Sequence, residues 1–243
     1  MILSELLVRS PIRILEQSIH GGLKSGEIGI IASEHGVGKT SVLVQLALDK
    51  LLQGKKVIHV SFSNQRLEFA HHVISWYEDI FDEFISKKNL ENAVEIKNEL
   101  VKNRVLMNFN QDVMSIDQII AGLRAMIVEG GFKADALIID GFDFSRTDNE
   151  RIAHVKAFAQ ELGLSVWYSC SIPDEDSHQG NVHHDRENIP VILNDFSGLI
   201  DVLIMLKPKH DHIELSVSKD RDAHIGSALA MRLDPRTLLI LEN

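Results

Sequence analysis

Ile28-Gly29-Ile30-Ile31-Ala32-Ser33-Glu34-His35-Gly36-Val37-Gly38-Lys39-Thr40-Ser41 is the stretch whose reading decides the fold. An apolar run without alternation reads as a buried strand. Two glycines, a lysine and two hydroxyls follow, and helical spacing begins at once. Strand, glycine-rich turn and helix in that order make a phosphate-binding loop, because backbone amides and the positive helix end converge on one anion. Glu34, His35, Gly36, Val37, Gly38, Lys39, Thr40 and Ser41 are the nucleotide-binding candidates. Lys39 would reach the β and γ phosphates and Thr40 would hold Mg²⁺. Ser33 stands where the pattern G-x-x-x-x-G-K-[ST] has glycine. It reads as lying at the loop entrance, away from the phosphate, and as a tolerated variation.

Outward from this loop the chain alternates strand and helix. Apolar residues at 42, 43, 46, 47 and 51 form a helical stripe, closed by Gly54. Val57–Phe62 reads as a strand, residues 67–85 and 90–101 as helices, and Arg104–Phe109 as a short strand. Ser115-Ile116-Asp117-Gln118 has capping-box form and opens another helix. Ala136–Asp140 is a buried strand ending in a carboxylate, placed to bind Mg²⁺ through water. Asp140 with Thr40 is therefore the metal-site candidate. A helix around 152–162 and a strand from 164 to 169 follow. Residues 171–195 read as irregular, and strands then run together near 202–206, 212–219, 228–233 and 238–241. The expected fold is α/β, a mainly parallel sheet flanked by helices with a C-terminal antiparallel extension. No linker or repeat divides residues 1–243, so one domain is expected, with 1–20 as an N-terminal arm.

The composition, 44% hydrophobic and 25% charged, fits a globular protein with a sizeable core. No apolar run reaches the roughly 18–20 residues of a membrane span, and residues 1–14 lack the order of a secretory signal. A single cysteine, Cys170, excludes an internal disulfide framework. These features place the protein in the cytoplasm, with no membrane partner. A net charge of −10 argues against a broad basic surface for duplex DNA.

Gly22-Leu23-Lys24-Ser25-Gly26-Glu27, the phosphate loop, Val57–Phe62 and Leu137-Ile138-Ile139-Asp140 follow one another as in RecA-like ATPases. The chain most resembles the branch that holds the KaiC clock ATPases and the DnaB-type helicase motors. Residues 195–206 resemble the approach to that family's late strand. Ser218-Lys219-Asp220-Arg221 resembles its K-x-R element. The resemblance spans roughly residues 20–241. It implies ATP and Mg²⁺ as ligands, assembly of identical chains into rings or filaments, and sites shared between neighbours. By that carry-over Lys39, Asp140, Lys219 and Arg221 are the catalytic candidates, the last two acting on a neighbour's γ-phosphate.

The pattern breaks after the second strand. The family has a glutamate there to position the attacking water, and this chain has Ser63, followed by Asn64 and Gln65. Loss of such a group typically costs about 10²–10⁴-fold in rate. Glu68, one turn further on, is a poorly placed substitute. Ser169 and Ser171 at a strand tip read either as polar sensors or as structural serines, and Cys170 as a buried, inert thiol. Residues 174–187 combine acids and histidines without a ligand spacing, and read as an exposed loop more readily than a metal site. Their acidity weakens a DNA-gripping role. Two functions follow: an ATP-binding switch with weak or absent hydrolysis that regulates assembly or a protein partner, or a DNA-dependent ATPase of recombinase or helicase type.

Overall fold

The computed structural model describes residues 10–62, 68–86, 93–173 and 189–242. They fold as one nine-stranded sheet between two layers of helices. The elements are α1 (Pro11–Ser18), β1 (Ile28–Ser33), α2 (Lys39–Leu52), β2 (Val57–Phe62), α3 (Glu68–Ser86), α4 (Ala93–Lys102), β3 (Arg104–Phe109), α5 (Ile116–Arg124), β4 (Ala136–Asp140), α6 (Asn149–Leu162), β5 (Ser165–Ser171), β6 (Val202–Pro208), β7 (Ile213–Asp220), β8 (Ala223–Leu233) and β9 (Ile240–Glu242).

The strand order is β3-β2-β4-β5-β1-β6-β7-β8-β9. The first six strands in that order pair in parallel, and β7, β8 and β9 are added antiparallel. The mixed α/β architecture and its antiparallel extension are those expected from the sequence, and they are compatible with a RecA-like core. Several boundaries differ by a few residues, and two of the differences have a visible cause. β8 begins five residues before the expected Ala228, because its pairing with β7 continues through Ser227, His224 and Ala223. β9 is confined to Ile240–Glu242, since Asp234, Thr237 and Leu238 close a turn through the bonds Leu238 N to Asp234 O and Thr237 Oγ1 to Asp234 Oδ2.

The fully apolar reading of β1 has a direct cause: all six of its residues are buried, with a helix layer over each face. On one face α1, α2, α3 and α4 cover Ile31, Val57, Ile138, Trp167 and Ile204. On the other, α5 and α6 cover Ile30, Ile58, Leu137, Ile139 and Val166. Each such side chain contributes about 1.5–3 kcal/mol by leaving water. Gly29 marks the tightest point of the first face, where an added Cβ would lie 2.5 Å from the Trp167 ring. The capping box at Ser115 forms as expected: Ser115 Oγ accepts from Gln118 N, and Gln118 Oε1 accepts from Ser115 N at 2.9 Å. Asp201 fastens the bottom of the sheet, accepting from Ile28 N at 2.7 Å and from Lys156 Nζ at 2.8 Å.

The sheet order positions the loop. β1 lies between β5 and β6, and the chain leaves it to build β2 on the far side of β4 and β5. Such crossings leave a crevice beyond the carboxyl ends of the strands, where α/β proteins bind their ligands. Residues 34–38 lie there.

A candidate phosphate and cation site at the end of β1

The loop leaves β1 at Ser33 and enters α2 at Lys39. Gly36 (φ 78°) and Gly38 (φ 111°) take left-handed backbone angles, which side-chain-bearing residues rarely adopt. Gly38 is constrained a second time, because an added Cβ would stand 2.7 Å from Leu233 Cδ2 at the end of β8. The antiparallel extension thus braces the loop from outside. Glu34 is half-buried, His35 and Gly36 are exposed and Val37 is buried. Ser41 Oγ donates to Gly38 O at 2.7 Å and stiffens the turn into the helix.

Lys39 is 92% buried and folded back on the loop, where its ammonium is enclosed by oxygen. Nζ donates to Ser33 O at 3.1 Å, Ser33 Oγ at 3.2 Å and Glu34 O at 2.7 Å. Burial pushes the ammonium below the ordinary lysine range, and the neighbouring Cys170, Asp140 and Glu34 oppose that shift. This arrangement corrects the reading of Ser33 as remote from the working end of the loop. The loop turns back on itself, so residues six apart in sequence touch.

Asp140 ends β4, two strands from β1 with β5 between. One carboxylate oxygen accepts from Thr40 Oγ1 at 2.8 Å, across 100 residues of chain. The other accepts from Ser169 Oγ at 2.6 Å, and Ser169 Oγ in turn accepts from Gly141 N at 2.8 Å. Ser169 is therefore the group that orients Asp140, a role the sequence left open. Thr40 and Asp140, the two expected metal-site residues, are brought together. A hydroxyl and a carboxylate are hard oxygen donors of the kind Mg²⁺ takes along with waters and phosphates, so these residues fit that ion. Cys170, next to Ser169, is buried as expected, with its thiol pushed up to about 12 by that burial.

Strand register sets a polar row beside Asp140 on the same sheet face: Asn108 on β3, Ser61 on β2, Asp140 on β4. One layer below Ser61, His59 is fully buried, with Nδ1 3.0 Å from the Tyr77 hydroxyl. His59 Nε2 and Asn108 Oδ1 have no hydrogen-bond partner among the described residues. Burial holds the His59 imidazole down to about 4, so it is neutral at pH 7.

Lys219 and Arg221 are not brought to this loop. Asp220 pairs with Val202, which pairs with Gly29, so the two cations sit at the opposite end of β1. Four strand steps separate that level from Ser33, about 13 Å. Lys219 Nζ donates to Ser197 O. Arg221, at φ 53°, is held by Glu27 (3.0 and 2.8 Å), Ile19 O (3.0 Å), Gly22 O (2.8 Å) and Asp220. His20 adds a further bond to Asp220. Ser63, Asn64, Gln65 and the loop 174–187 lie outside the described residues, as does the side chain of Glu68. No group of three or more histidines, cysteines or carboxylates suited to a metal ion occurs among the described residues. None of their helices is long and apolar enough to cross a membrane.

No family model matches the chain. A segment of 56 residues is 43% identical to the DNA repair protein RadA of Aquifex aeolicus (strain VF5). That segment is 23% of this chain and 12% of RadA, so the chain matches only a small part of that protein's length. The similarity agrees with a RecA-like, nucleotide-binding relationship at a coarse level. It does not single out the branch of KaiC or of the DnaB-type motors.

Proposed function

We propose that this protein binds ATP with Mg²⁺ at the end of β1 and hydrolyses it slowly, using nucleotide state as a switch for assembly or for a protein partner. One observation carries the reading: Thr40 Oγ1 and Asp140 Oδ2 meet at 2.8 Å beside a phosphate loop that contains Lys39. A chance strand–turn–helix has no reason to bring that carboxylate to that hydroxyl. Mg²⁺ at Thr40 and Asp140 would neutralise phosphate charge. Lys39 would bind the β and γ phosphates, and the amides of residues 36–40 would orient them. Slow turnover rests on the sequence, in which Ser63 replaces the family's water-positioning glutamate.

Assembly of identical chains is part of the proposal through the resemblance. Because Lys219 and Arg221 lie at the far end of the strands from their own loop, any phosphate they touch belongs to a second copy. Arg221 would have to leave Glu27, Asp220 and two carbonyls to do so.

A second reading, a DNA-dependent ATPase, has one specific observation behind it, the local similarity to a DNA repair protein. The net charge of −10 weighs against it. Binding and turnover of Mg-ATP, with and without single-stranded DNA, separate the two readings, with Lys39→Ala and Asp140→Asn as controls. The switch reading expects binding that both substitutions abolish or weaken at least tenfold, and little turnover under either condition. DNA-stimulated turnover would select the second reading, and absence of binding would end both.

A further inference from the structure

We propose that Ser33 is a latch on Lys39, which sets the affinity of the loop for a nucleoside triphosphate. The proposal rests on the ATP-binding reading above and adds a control element to that same site.

An ammonium has three hydrogens, and Lys39 commits all three to loop oxygens: Ser33 O, Ser33 Oγ and Glu34 O. The Ser33 hydroxyl donates its own hydrogen to Glu34 O at 2.9 Å. Its lone pairs are thereby left for Nζ, and Ser33 Oγ, Glu34 O and Nζ form a closed triangle. Ser33 is 1% exposed and Lys39 8% exposed, so water does not stand in for these bonds. A glycine at position 33, which the loop pattern ordinarily has, supplies a carbonyl and no hydroxyl. A phosphate that recruits Lys39 from this chain must therefore displace three acceptors instead of two.

Because Lys39 is charged, each acceptor it gives up counts for more than one bonded to a neutral group. Removing the hydroxyl is therefore expected to tighten Mg-ATP binding about tenfold, the low end for one charged hydrogen bond. The same change takes a partner from a buried ammonium, so stability without nucleotide falls while affinity rises. A serine that merely supported the loop would move both quantities down together.

The test compares wild type, Ser33→Ala and Ser33→Gly by Mg-ATP titration calorimetry and by thermal midpoint without nucleotide. It also measures the acylation rate of Lys39 by peptide mass spectrometry. The expected result is about tenfold tighter binding, a lower midpoint and faster acylation in both variants. Ser33→Ala keeps the Cβ and the strand backbone, so it guards against a folding artefact from glycine. Wild-type binding with unchanged or weaker binding in Ser33→Ala would overturn the latch and leave the ATP reading standing. Failure of wild type and both variants to bind Mg-ATP would overturn the ATP reading and the latch together.

Discussion

Replacing His59 by glutamine should remove much of the protein's sensitivity to mild acid. His59 is fully buried in the α2-facing layer, and its imidazole is held down to about 4 against an unperturbed value near 6.5. Burial is the largest cause, and the Arg104 guanidinium adds to it while Asp140 opposes it. Below about pH 6.5 the unfolded chain takes up a proton that the folded chain refuses, so stability falls as the pH falls. The penalty is absent above that pH and complete near pH 4. Between pH 7 and pH 5 it spans about 1.5 pH units, which at about 1.4 kcal/mol per unit is about 2 kcal/mol. Glutamine retains a polar group for the Tyr77 hydroxyl, and it does not titrate. Urea unfolding at pH 7 and pH 5, followed through the tryptophan fluorescence, gives each protein its own reference. Wild type should lose about 2 kcal/mol more than His59→Gln over that interval. Equal losses in the two proteins would refute the assignment of a neutral, buried His59.

Arg221→Ala removes the partner of Glu27 and leaves the nearly inaccessible Asp220 carboxylate with only His20 and its remaining neighbours. A loss of about 3 kcal/mol in stability is expected, measured by urea unfolding at pH 7. Gly38→Ala should both destabilise the fold, by about 1–3 kcal/mol, and abolish Mg-ATP binding, because it meets a left-handed backbone and Leu233 together. Adding Leu233→Ala should relieve the contact and leave the backbone strain, so nucleotide titration of the double variant should remain negative.

The sequence by itself determined the α/β alternation, the glycine-rich loop between β1 and α2 and the carboxylate at the end of β4. These are local matters: hydrophobic period, glycine placement and one acidic residue at a strand tip are written in consecutive residues. The late strands were legible as strands for the same reason, although β8 began where its pairing with β7 began and β9 where the preceding turn closed, and not where apolar character did. Tertiary structure alone decided which of these groups meet. Thr40 and Asp140 are 100 residues apart and touch only because parallel pairing puts β4 two places from β1. Ser169 could be placed at a strand tip from sequence, but its bond to Asp140 required β5 to pair directly with β4. Leu233 gave no local sign that it braces Gly38. Ser33 read as a small defect at the start of the loop. Six residues later in the chain the backbone has turned back, and Ser33 holds Lys39, the lysine proposed above to bind phosphate.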